Sequence, residues 1–135
     1  MDQEALNSLK GSTDEVLRYL QRAIFAFQDL TWQMRGKERP PEELLSEIAS
    51  SGEGMQMLLE YATSAHSLLK PQYPTLADSL KDFAEGLATA LPGLVACMEQ
   101  RDLNQTADLL EAQIIPRLTE LRETASQVQS SLTLH

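Results

Sequence analysis

Cysteine occurs once in the 135-residue chain, at Cys97, so no internal disulfide can form and nothing calls for an oxidising compartment. Histidine occurs twice, as His66 and His135, and neither follows a glutamate by three residues. Zinc-site spacing and the Glu-x-x-His pairs of di-metal bundles are both missing, so neither a metal nor a cofactor is expected. Aromatic residues make up only 5%, and six glycines with six prolines are too few for a loop-rich sandwich. Bases are scarce, 11 against 20 acids, which gives a formal charge of −9. A surface that acidic repels phosphate backbones and argues against a nucleic-acid partner. The longest uncharged run, 86–98, is shorter than the ~20 residues of a membrane span and contains Pro92-Gly93. No membrane association is expected. Acids rather than bases in Met1-Asp2-Gln3-Glu4 argue against a secretory signal, so the expected location is the cytoplasm. Gly-rich phosphate loops, nucleophile elbows and aromatic–basic interleaving are absent too, and no enzymatic activity is expected.

Helix formers dominate what is there, and four segments show helical spacing. Leu17, Leu20, Ile24, Phe27, Thr31 and Met34 predict a first helix over about 13–36, opened by a Ser12-x-x-Glu15 capping box. Arg35, Lys37 and Arg39 suit its dipole at the far end. Residues 1–11 read as an extension or short helix set apart by Gly11. Pro40-Pro41 closes this segment and opens a second helix over about 41–70. Its stripe is Leu45, Ile48, Gly52, Met55, Leu59, Ala62, His66 and Leu69, whose phase survives Gly52 and Gly54. After a Pro71–Pro74 turn, Thr75 caps a third helix over about 75–101, with Leu76, Leu80, Phe83, Leu87, Leu91, Leu94 and Met98. A fourth, about 102–131, opens on Asp102 capping toward Gln105 and runs Ala107, Leu110, Ile114, Leu118, Leu121, Ala125, Val128, Leu132. Short connections predict one all-α domain over 1–135, an antiparallel up-down four-helix bundle kinked at Pro92 and Pro116.

Few constellations carry chemistry. Residues 40–69 hold Glu42, Glu43, Glu47, Glu53 and Glu60 and no base, either a solvated face or a docking surface for a basic partner. His66 reads as a satisfied, partly buried histidine and Cys97 as a small core residue. Asp78, Asp82 and Glu85 share a face beside Lys81 and read as solvated. Met34, Met55, Met57 and Met98 are core filler or an adaptable groove.

At the fourth helix the chain resembles a known pattern. Asp102, then Ala107-Asp108-Leu109-Leu110-Glu111 and Ile114-Ile115-Pro116-x-Leu118, with the earlier Glu53-Gly54-Met55, resemble a family of small acidic all-helical bacterial proteins of unknown function. The likeness spans about 13–125, and this chain has Ala112-Gln113 and Leu121 where the pattern has an aromatic–acid pair and a tryptophan. Genes for such proteins often stand near motility or surface-glycosylation genes. The resemblance implies an accessory, non-catalytic role and names no ligand.

Together these features predict a cytoplasmic, non-enzymatic helical-bundle interaction protein, an adaptor or chaperone-like accessory factor. Asp108, Glu111, Pro116, Glu53, Met55 and Met57 are the candidate partner-binding residues. Leu44, Leu58 and Ala65 widen the stripe of the second helix, leaving apolar area for a partner helix. A homodimer is therefore expected, beside a protein partner of unknown identity. The alternative is a small-molecule or cation-binding bundle sited between helices three and four. There Pro92 and Pro116 stand at similar heights, each roughly 15–20 Å from the Arg101-Asp102 turn.

Overall fold

The computed structural model describes residues 2–36 and 38–133, so Met1, Lys37 and His135 lie outside the described residues. Among the described residues every regular element is helical and no strand forms. Four rods alternate in direction. The first is α1, Gln3–Gly36. The second comprises α2, Pro41–Ser50, and α3, Gly52–Leu69. The third is α4, Pro74–Glu99. The fourth is α5, Leu103–Leu109, a π turn at Leu110–Ile114, and α6, Ile115–Thr133.

Cross-bundle pairs fix the antiparallel order. Thr13 meets Tyr61 across α1 and α3, and Gln129 of α6 donates to Asp14 of α1 at 2.6 Å. Arg101, past the end of α4, bonds Glu42 at the start of α2 at 2.8 Å. One core runs the length of the bundle, and its largest fully buried side chains include Leu20, Leu58, Leu87 and Leu118.

The first helix begins ten residues earlier than its Ser12 box predicts. Leu9, Thr13 and Val16 carry the buried face through Gly11, which is exposed and tolerated in a packed helix. The cap is Asp2, whose Oδ1 accepts the Ala5 N–H at 2.7 Å, while Ser12 and Glu15 stand exposed in mid-helix. Thr13 is wholly buried, and its hydroxyl donates to the Leu9 carbonyl at 2.7 Å. Its single hydrogen is then used, so Tyr61 donates to it across the core at 2.9 Å.

The second rod is stepped rather than unbroken. Ser51 sits at φ −80° and ψ −4°, and its N–H bonds the Ile48 carbonyl at 3.0 Å, a tightened turn between α2 and α3. No described glycine has a positive φ, so Gly52 and Gly54 are helical. The buried face, however, is turned by less than one residue from the predicted stripe. Leu44, Leu58 and Ala65 are 0% exposed in the core, whereas Leu45, Leu59 and His66 stand half-buried at its edge. The apolar area reserved for a partner helix is thus consumed internally.

Pro74 itself opens α4, which places Thr75 inside the first turn rather than at the cap. The helix continues through Pro92 to a left-handed residue, Arg101, at φ 55°. There Arg101 N–H bonds Met98 O and Asp102 N–H bonds Cys97 O, a Schellman closure without glycine. Arg101→Gly should therefore be more stable than Arg101→Ala by about 1 kcal/mol in urea denaturation, since both lose the exposed Glu42 pair. Asp102 then caps α5 as its sequence predicts, accepting the Gln105 N–H at 3.0 Å. At Pro116 the disturbance takes the form of the π turn. The Ile115 N–H reaches back five residues to Leu110 O, widening the helix where the proline ring would crowd the Ala112 carbonyl.

Candidate functional site

Asp108 and Glu111 belong to the seven-residue α5 and the π turn, and both are exposed. They converge on Arg35 at the end of α1. Its Nη2 lies 2.9 Å from Asp108 Oδ1 and 2.9 Å from Glu111 Oε2, and its Nε donates to Glu111 Oε1 at 3.2 Å. The two carboxylates push the guanidinium pKa above its ordinary value through these hydrogen bonds. The acidic pair is therefore a clamp holding α1 against the fourth rod, with half its charge neutralised. Pro116, one turn on, is exposed and lines a groove between α4 and α6.

Glu53, Met55 and Met57 occupy a different place. Gly54 of the same turn faces Tyr19, some 16 residues before Arg35 on α1, which separates the two groups by roughly 24 Å. Glu53 is exposed and Met57 half-buried, but Met55 is 4% exposed. Met55 packs in the core because α3 turns that face inward, and it offers nothing to a partner. The six candidates do not form one surface.

The α4–α6 groove encloses about 600 Å³ between Asp82, Glu85, Thr89, Gln113, Pro116 and Arg117. Gly86 admits the Arg117 guanidinium across α4; a Cβ there would come within 2.6 Å of it. Among the described residues, no three His, Cys, Asp or Glu side chains gather as a metal site needs. His66 Nδ1 lies 2.8 Å from the Ala77 carbonyl, which can only accept, so that nitrogen carries the proton. Cys97 is half-buried rather than in the core, with its sulfur 4.0 Å from Gln105 Oε1.

Periodicity alone passes over the most unusual surface. Phe25 and Trp32 are 73% and 70% exposed, and Val95 on α4 is the third large exposed apolar residue. Seven residues apart on α1, Phe25 and Trp32 project from one face, which Arg18, Arg22 and Asp29 share. Among the described residues neither Arg18 nor Arg22 enters an ion pair. Beside this strip runs a second groove of about 600 Å³, with Tyr19, Arg22, Ala26 and Asp29 on α1 facing Arg39, Glu47 and Ser51. The signal in the sequence is that both aromatics fall outside the buried stripe Leu20, Ile24, Phe27, Thr31, Met34.

A family model described as a domain of unknown function, DUF8042, matches residues 11–124, most of the chain and part or all of each of the four rods. The chain belongs to the DUF8042 family. No curated protein and no solved structure matches it. The match takes in the α1 strip, the Arg35 clamp and the π turn alike. Among the described residues of this DUF8042 chain, no helix is long and apolar enough to cross a membrane.

Proposed function

We propose that this DUF8042 chain is a non-enzymatic interaction protein of the cytoplasm, an adaptor or chaperone-like factor that works through the outer face of α1. A single observation carries this: Phe25 and Trp32, both at least 70% exposed, stand on one face of a helix whose other large apolar residues are buried or half-buried. Large aromatics left in water lose the transfer free energy that burial would return, about 1.5–3 kcal/mol for a phenylalanine. Contact with another protein surface recovers it. Three of the groups singled out for chemistry are meanwhile engaged in structure. His66 holds the Ala77 carbonyl, and Asp108 and Glu111 hold Arg35. The net charge of −9 favours a protein partner over a nucleic acid.

The test places a photo-crosslinking residue at position 25, 32 or 127 of the full chain in cells. Gln127 is an exposed α6 residue beside Tyr73 and Leu76, away from the strip. Specific protein adducts are expected from 25 and 32 and none from 127. No adduct at 25 or 32, or equal adducts at 127, would contradict the proposal. Phe25→Ser and Trp32→Ser should leave stability within about 0.5 kcal/mol, because neither side chain supports the core.

A further inference from the structure

We propose that the outer face of α1 binds a second copy of this chain, the two α1 helices packing antiparallel about a two-fold axis beside Phe25. This rests on the reading of that face as an interaction surface and names its occupant. The strip Arg18, Arg22, Phe25, Asp29, Trp32 maps onto itself to within one residue when its direction is reversed. Reversal about Phe25 sets Phe25 against its counterpart and Arg18 against Trp32. It also brings Arg22, three residues before the axis, near Asp29, four residues after it, a one-residue offset that the long arginine side chain spans.

A two-fold interface repeats each contact. The pairing therefore holds one Phe–Phe contact, two guanidinium–indole contacts and two Arg–Asp ion pairs. Guanidinium over indole is an attractive cation–π geometry, and Trp and Arg are the residue types that most often anchor interfaces. Each group has the opening its counterpart needs. Among the described residues neither Arg18 nor Arg22 makes an ion pair, and Asp29 accepts from the Gln33 amide at 2.5 Å but pairs with no cation.

The charge distribution selects the same face. Two chains of net charge −9 repel as a whole. Residues 40–69 contribute five of those acids and no base, whereas residues 1–39 hold six bases and six acids. The strip itself, with two arginines and one aspartate, is net positive. That charge is small beside the −5 of residues 40–69, so approach along α1 opposes less charge than approach along that segment, and the two Arg–Asp pairs offset part of what remains. From Arg18 to Trp32 the contact line runs roughly 21 Å along the helix.

Sedimentation equilibrium of the full chain across the micromolar range tests this. The mass should rise from 15.0 kDa toward twice that value. Phe25→Ser and Trp32→Ser should stay monomeric, with thermal midpoints matching that of the wild-type chain diluted to monomer. Arg22→Asp and Asp29→Arg should each weaken self-association about tenfold or more, because each places like charges together. Mixed in equal amounts, those two variants should dimerise again, since every substituted side chain then meets its opposite charge. A single 15.0 kDa mass at every concentration would overturn the second copy as occupant. The interaction reading would survive that result if crosslinks at 25 and 32 reach another protein. A dimer that persists in Phe25→Ser and Trp32→Ser, or a mixture that stays monomeric, would overturn this pairing.

Discussion

Leu58→Ala should lower folding stability by about 3–4 kcal/mol, within the range for a leucine deleted from a closed core. Leu58 is 0% exposed and belongs to the same buried face as Met55, Ala62 and Leu69. Truncation removes its apolar transfer free energy and leaves a cavity that the neighbouring rods cannot close without shifting. Leu59, next in the chain but half-buried, should lose no more than about 1.5 kcal/mol on the same change. Urea denaturation of both variants settles the phase of α3. A loss below about 1 kcal/mol at Leu58 would mean that it faces outward, as the stripe through Leu45 and Leu59 predicts.

The two glycines of α3 should respond in opposite directions. Both are helical, so alanine at either position gains up to about 1 kcal/mol of backbone entropy relative to glycine. At Gly52 nothing lies within 4 Å of an added methyl, and Gly52→Ala should realise that gain. At Gly54 the methyl would overlap the Tyr19 hydroxyl and ring, which pack directly on the glycine. Tyr19 is half-buried, and its burial pushes the phenol pKa up, so displacing it forfeits real packing. Gly54→Ala should therefore destabilise by about 1–2 kcal/mol net. Sequence phase alone expects Gly54→Ala to stabilise, because Gly54 lies off the predicted stripe, and leaves Gly52→Ala, on the stripe, to gain or lose with the room for a methyl. Combining Gly54→Ala with Tyr19→Ala isolates the clash. In that background the alanine should become stabilising, whereas a loss unchanged by Tyr19→Ala would refute the contact.

The fourth rod shows what periodicity reads well. Ala107, Leu110, Ile114, Leu118, Leu121, Ala125, Val128 and Leu132 are all 0% exposed, and Asp102 caps them as expected. One strong stripe, with a single polar cap before it, leaves no competing face. In the second rod the apolar residues Leu44 and Leu45 of α2 and Leu58 and Leu59 of α3 come as adjacent pairs, so two phases fit almost equally. Packing against α1 and α4 decides between them, and that information is not local. The start of α1 was hidden for a different reason: Gly11 weakens local helix propensity, and only burial of Leu9 and Thr13 compensates.

The candidate site was legible only in part. Asp108 and Glu111 share a face by spacing, but their partner, Arg35, lies more than 70 residues away and is invisible to a local pattern. Phe25 and Trp32 are visible in principle as aromatics out of phase with a well-formed stripe. A search for what a helix buries discards such residues, although exposure is what makes them informative.

Trp32 is the only tryptophan in the chain, so its fluorescence reports directly on whether the α1 face becomes covered. At high dilution its emission should match a solvated indole, fully open to acrylamide quenching. Raising the protein concentration should shift the emission to the blue and reduce quenching, as should adding any protein crosslinked at positions 25 and 32. Emission and quenching that stay solvent-like under all these conditions would contradict the claim that this face is an interaction surface.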